Sequence, residues 1–162
     1  MAPTPEPNKR QRLVDGPRLL AGIVVAALAA GPVFFIAGIY LPLVVTGTPV
    51  EAMAFGLPGN SSTALPILVL LSIRYAFLPA LLPNTILAAM LAVLGAMWVE
   101  ARAWKVWLAA GALIAVLVAL LLPDLWTMPS LLIALAITGM ACGAVCRAFA
   151  RWPEDAETPD QA

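Results

Sequence analysis

The chain has 162 residues, of which 62% are hydrophobic and 11% are charged, and its formal net charge is zero. Soluble domains are about 45–50% apolar and about 25% charged, so this composition excludes a water-soluble globule and predicts an all-α integral membrane protein. The sequence contains no histidine, which excludes histidine-ligated haem or zinc and a Ser-His-Asp triad.

A basic tail, residues 1–18, precedes the first apolar stretch. Its charges and prolines predict a disordered cytoplasmic segment. The apolar stretch at 19–45 is long enough to cross a hydrocarbon core of about 30 Å. Ala27-Leu28-Ala29 resembles a signal-peptide cleavage site, but the apolar stretch continues well beyond it. We therefore expect an uncleaved spanning helix.

The central apolar stretch, residues 64–99, would be about 54 Å long as one helix, which is too long for a single upright crossing. Pro83-Asn84-Thr85 has the pattern of a break followed by a helix N-cap. We expect a separate helix at 64–82, re-entrant or lying at the external interface, and then a spanning helix at 84–99. If 64–82 crossed the membrane by itself, the chain would have five spans instead of four.

Two further spans are predicted at 106–122 and 131–147, followed by a disordered acidic tail at 148–162. Lys and Arg occur in the N-terminal tail, in the connection 100–105 and just after the last span, whereas the other two connections have none. Lys and Arg in short loops mark the cytoplasmic side. This pattern predicts a four-transmembrane-helix bundle with an additional re-entrant or interfacial hydrophobic helix. We expect it in the bacterial inner membrane with its N-terminus in the cytoplasm.

Arg74 and Tyr75 form the candidate intramembrane polar site. An arginine at the bilayer centre costs about 2.5–3.5 kcal/mol on insertion scales, so it has to pair, reach water or extend to the interface. The functional interpretation is an anion or carboxylate site, with the loop residues Glu51 and Asp124 as candidate partners. The structural interpretation, which the predicted topology favours, is an interfacial residue that faces lipid headgroups.

Small residues recur every four positions in the crossing helices, a spacing that lets helix backbones approach closely in lipid. We select Gly139 and Gly143 as the candidate helix-packing face, acting either between two copies or within one bundle. Cys142 and Cys146 lie one helical turn apart. We expect them to pack as small apolar residues, although a dithiolate site for a soft metal is the alternative.

The spans contain no paired carboxylates, and the glycine-containing loop lacks a phosphate-binding pattern, so we predict no catalytic residue, no cofactor and no metal site. We expect a non-enzymatic accessory or structural subunit of a larger membrane complex. The alternative is a small transporter or channel that acts as a homo-oligomer. The expected partners are the lipid bilayer and other membrane-protein subunits or further copies of the chain, and no nucleic acid.

Overall fold

The structure is a computed structural model that describes residues 14–46, 61–121 and 129–152. These residues form four α-helices, with a short 3₁₀ turn between the second and the third. The helices are α1 (Gly16–Thr46), α2 (Ser61–Met97), α3 (Trp104–Leu120) and α4 (Pro129–Phe149), and the 3₁₀ turn is Val99–Arg102. In a lipid solvent this arrangement is favourable because a helix satisfies its backbone hydrogen bonds internally.

Three of the helices contain segments that are long and apolar enough to cross a membrane. These segments are Gly16–Gly38 in α1, Val69–Met97 in α2 and the whole of α4. The fourth helix, α3, is also apolar but has only 17 residues, a length of about 25 Å. The predicted all-α, multi-pass membrane architecture is confirmed at this level.

The predicted break at Pro83 is wrong, because residues 64–82 and 84–97 belong to one continuous helix, α2. A proline inside a helix frees one carbonyl, whereas a loop in lipid would leave several backbone groups unsatisfied. Thr85, expected in the N-cap, instead donates its hydroxyl to the carbonyl of Leu81 at 2.7 Å, as threonine does in a helix interior. No separate re-entrant helix exists at 64–82, and the five-span alternative fails for the same reason.

The helices pack in the order α2, α1, α4, α3, and each is antiparallel to its neighbour. The α1–α4 contact places Gly22 against Phe149 at one end and Gly38 against Leu131 at the other. α2 contacts α1 extensively and α3 and α4 only sparsely. The first described residues and the last therefore lie at the same end of the bundle, where Asp15 donates its backbone N–H to the carbonyl of Arg151.

This end of the bundle, which we call the charged end, also holds the 3₁₀ turn. Arg147 donates its Nε–H to the carbonyl of Arg102, and Arg18 forms an ion pair with Asp15 at 3.2 Å. The cationic segments that the sequence assigned to one side of the membrane are thus together in the structure. The opposite end, where α1 and α3 finish and α2 and α4 start, is called the distal end.

The bundle extends further along the chain than the predicted tail boundary at residue 148. α4 continues to Phe149, and both Ala150 and Trp152 are buried. Trp152 is retained in the bundle because its ring packs among side chains of the charged end. The remainder of the predicted acidic tail, residues 153–162, and most of the predicted basic tail, residues 1–13, lie outside the described residues.

Candidate functional site

The predicted packing face of Gly139 and Gly143 lies against α3 of the same chain. A Cβ added at Gly139 would lie 2.6 Å from Ala115 Cβ and 2.8 Å from the carbonyl carbon of Gly111, well inside the normal carbon–carbon contact of about 3.5–4.0 Å. A Cβ at Gly143 would likewise collide with the backbone carbonyl of Trp107. Since α3 fills this face, a helix from a second copy has no space there.

A cluster of arginine and tryptophan side chains, the Arg-Trp cluster, fills the charged end. Trp152 lies at its centre, packed edge to face on Trp107 with ring centroids 6.4 Å apart. The guanidinium carbons of Arg102 and Arg147 each lie 5.1 Å from the Trp152 ring centroid, within the range of a cation–π interaction. Arg147 also lies 5.7 Å from the ring centroid of Trp104. The cluster thus links the end of α4 to the start of α3.

Hydrogen bonds to backbone carbonyls hold the same cluster together. Arg102 donates its Nε–H to the carbonyl of Gly95 at 2.8 Å, and Trp107 donates its indole N–H to the carbonyl of Ala101 at 3.1 Å. Arg102 is buried, although it belongs to a short connection between two apolar helices. These bonds satisfy carbonyls near helix ends, where the intrahelical partner is missing. We therefore assign the cluster a structural role in closing the bundle.

An apolar cavity of about 190 Å³ lies between the four helices. Small residues on α2 and α3 form part of its wall and leave space with their short side chains, namely Ala76, Ala80, Gly111 and Ala115. Phe34 of α1 also contributes to the wall. The cavity is not fully enclosed. α2 and α3 barely contact each other, whereas the other neighbouring pairs pack tightly, so we infer that the open side lies between α2 and α3.

Three polar side chains line this otherwise apolar cavity: Asn84, Thr138 and Cys142. Thr138 donates its hydroxyl to the carbonyl of Ala134 at 2.8 Å, and the Cys142 thiol donates to the carbonyl of Ala26 at 3.4 Å. The Asn84 amide interacts with the Cys142 sulfur, which is a weak acceptor. Within the described residues, Asn84 Nδ2 has no hydrogen-bond partner of normal geometry. This nitrogen carries two N–H groups and the Cys142 sulfur can accept from one of them at most, so the cavity contains at least one unused donor.

Arg74 and Tyr75 do not line the cavity, and both are exposed on the outer surface of α2. α2 crosses α1 where Ser72 lies against Gly31, about 22 Å along α1 from Gly16. Since α2 runs from the distal end toward the charged end, Arg74 lies about 3 Å from Ser72 in the direction of the charged end, close to the mid-length of the bundle. The intramembrane and the interfacial interpretations of Arg74 both stay predictions.

The structure brings no carboxylate to Arg74 within the described ranges. Both candidate partners, Glu51 and Asp124, lie outside those ranges. Tyr75 is 74% exposed and lies beside Arg74 on the outer surface of the bundle. The described residues therefore give no geometric support to an anion path through the interior of one bundle.

Asn84 is the candidate site residue that the sequence interpretation missed, because its position after Pro83 resembled a helix cap. A second signal was present in the sequence. Asn84 is the only amide side chain in the long apolar stretch of residues 64–99. A polar residue inside a membrane segment points to the bundle interior or a cavity by default.

Comparisons with known proteins give no assignment. No family model matches the chain. No curated protein and no solved structure is significantly similar to it.

Proposed function

We propose that this protein is a non-enzymatic subunit of a larger membrane complex, a bundle that crosses the membrane four times with both termini in the cytoplasm. The distribution of cations supports this orientation, because Arg102, Lys105, Arg147 and Arg151 all belong to segments at the charged end. Lys and Arg are retained on the cytoplasmic side during insertion.

The observation that carries the subunit proposal is a mismatch of helix lengths. The apolar segment of α1 and the whole of α4, in the middle of the bundle, have 23 and 21 residues and match a hydrocarbon layer of about 30 Å. The outer helices do not, because the apolar segment of α2 has 29 residues and α3 has 17, or about 44 and 25 Å. Tilting and association with neighbouring protein both relieve such mismatch. We propose that a partner packs on α2.

A matched pair of photo-crosslinking sites tests this proposal. Ile86 on α2 and Ile36 on α1 are the same residue type with the same exposure, 49%. A photoreactive amino acid is placed at one site at a time in the full chain in its native membrane. We expect Ile86 to give a discrete adduct with another membrane protein and Ile36 to give adducts with lipid only.

Two outcomes would contradict the subunit proposal. Equal adduct patterns at Ile86 and Ile36 would show that α2 faces lipid like α1. Adducts at Ile86 with only a second copy of the chain would favour the alternative, a small transporter or channel acting as a homo-oligomer. The cavity between the helices is the observation that supports this alternative, since transported molecules bind inside helix bundles.

A further inference from the structure

We propose that the interhelical cavity is a binding site for a membrane-soluble molecule that presents a carbonyl oxygen to Asn84 on an apolar body about the size of one ring. The proposal does not depend on the identity of any protein partner. It rests on three properties of the cavity: an unused donor, a matching volume and an opening toward lipid.

The unused donor is Asn84 Nδ2. The residue is only 6% exposed, and a buried polar group without a partner costs about 1–3 kcal/mol. The wall around this N–H group is otherwise apolar and offers it no good acceptor. A hydrogen-bond acceptor on a bound ligand would therefore recover this free energy. Because the group is an N–H donor, the ligand has to supply an acceptor, and a carbonyl oxygen is the common acceptor among bilayer-soluble molecules.

The volume and lining specify the rest of the ligand. A cavity of about 150 Å³ with apolar walls can hold a benzene molecule, so a cavity of about 190 Å³ accommodates one substituted ring or a short acyl segment. Water is a poor occupant, because a stable buried water needs two to four polar partners and most of this wall is apolar.

The opening determines where the ligand comes from. It lies between α2 and α3, the outer helices of the bundle, and both carry exposed apolar side chains such as Met90 and Leu113. A molecule dissolved in the bilayer can therefore enter sideways without passing through water. Two sources share the required chemistry, namely a quinone ring and the ester end of an acyl chain.

The side-chain amides of asparagine give a direct test. The chain has only three asparagines, Asn8, Asn60 and Asn84, so ¹⁵N-asparagine labelling yields three amide pairs, and Asn84→Leu assigns the third. The full chain is purified in dodecyl maltoside, which contains no carbonyl. Decylubiquinone, methyl laurate and dodecane are then added separately. We expect at least one carbonyl probe to shift the Asn84 amide protons downfield, while dodecane leaves them unchanged.

The two carbonyl probes distinguish the sources. A shift with decylubiquinone alone identifies a ring carbonyl, whereas an equal shift with methyl laurate identifies an acyl ester. No Asn84 shift with either probe would overturn the proposal, and so would a shift with dodecane as large as with the carbonyl probes.

Two cavity variants and one control variant separate ligand recognition from folding. Thr138 lines the cavity, so titrating each variant with a probe and recording the chemical shift of the Thr138 methyl group measures the affinity for that probe. We expect Asn84→Leu to weaken binding about tenfold, which corresponds to one lost hydrogen bond. Ala76→Leu fills the cavity and should abolish binding with Asn84 intact, whereas Ala89→Leu on the exposed face of α2 should have no effect. Unchanged affinity in both Asn84→Leu and Ala76→Leu would contradict the site.

Discussion

Replacing Gly139 with alanine is expected to destabilise the bundle by at least about 2 kcal/mol, because it forces α4 away from α3. The added methyl group meets backbone of α3 at Gly111 and the side chain of Ala115, and neither can move without displacing the whole helix. Helices in lipid associate mainly through such close packing, so the separation also loses contacts along the rest of the interface. Unfolding in sodium dodecyl sulfate, followed by circular dichroism, measures the change.

Gly38→Ala is the matched control for this prediction. A Cβ at Gly38 would lie 3.7 Å from a terminal methyl of Leu131, an ordinary contact, so its effect should stay within about 0.5 kcal/mol. The double variant Gly111→Ala/Gly139→Ala should lose less stability than the two single variants lose in sum, because the first substitution has already separated the helices. Equal stability of Gly139→Ala and Gly38→Ala would show that the α3–α4 contact is wrong.

Trp152→Ala is expected to destabilise the charged end by about 3–5 kcal/mol, the range for removing a buried aromatic side chain. Trp152 is 1% exposed and is packed so closely on Gly95 that a Cβ there would lie 2.5 Å from the indole ring. The substitution removes the edge-to-face contact with Trp107 and the two cation–π interactions that Trp152 makes with Arg102 and Arg147. Hydrogen exchange of the backbone amides should rise most in the last turns of α2 and α4.

Trp98→Ala is the control for the Trp152 prediction, since Trp98 lies at the same end of the bundle but is 58% exposed. Its loss should change stability much less. Trp152→Phe should fall between the two, because it retains an aromatic ring of smaller area. If Trp98→Ala and Trp152→Ala destabilise the protein equally, the tryptophans act as a membrane-interface belt and not as a packed cluster.

The positions of most helices could be predicted from the sequence. The lengths of the apolar stretches and the positions of the charged residues between them predicted spans at 19–45, 106–122 and 131–147. The ends of these spans lie within about three residues of the ends of α1, α3 and α4. These predictions succeed because the hydrocarbon layer sets the length of a spanning helix and excludes charged residues from it. Both constraints can be read from the sequence. The same constraints predicted which cationic segments lie together, as the contact between Arg147 and Arg102 shows.

The sequence could not predict the features that depend on a neighbour in space. Pro83 indicated a break by local rules, but lipid penalises a loop more than a helix proline, and α2 remains continuous. Asn84 consequently lies on a buried helix face instead of in a cap. The interior positions of Trp107 and Trp152 depend on the arrangement of α2, α3 and α4, which local composition does not encode.

A membrane-impermeant maleimide tests the proposed topology most directly, namely a bundle of four crossings with both termini on the cytoplasmic side. Cys142 and Cys146 are first replaced by serine or alanine, and a single cysteine is introduced as Thr4→Cys, Gly59→Cys or Asp160→Cys. In intact spheroplasts we expect labelling of the Gly59→Cys variant alone, with the other two labelled only after permeabilisation. Labelling of Asp160→Cys from outside while Thr4→Cys remains protected would contradict the even number of crossings and the account built on it.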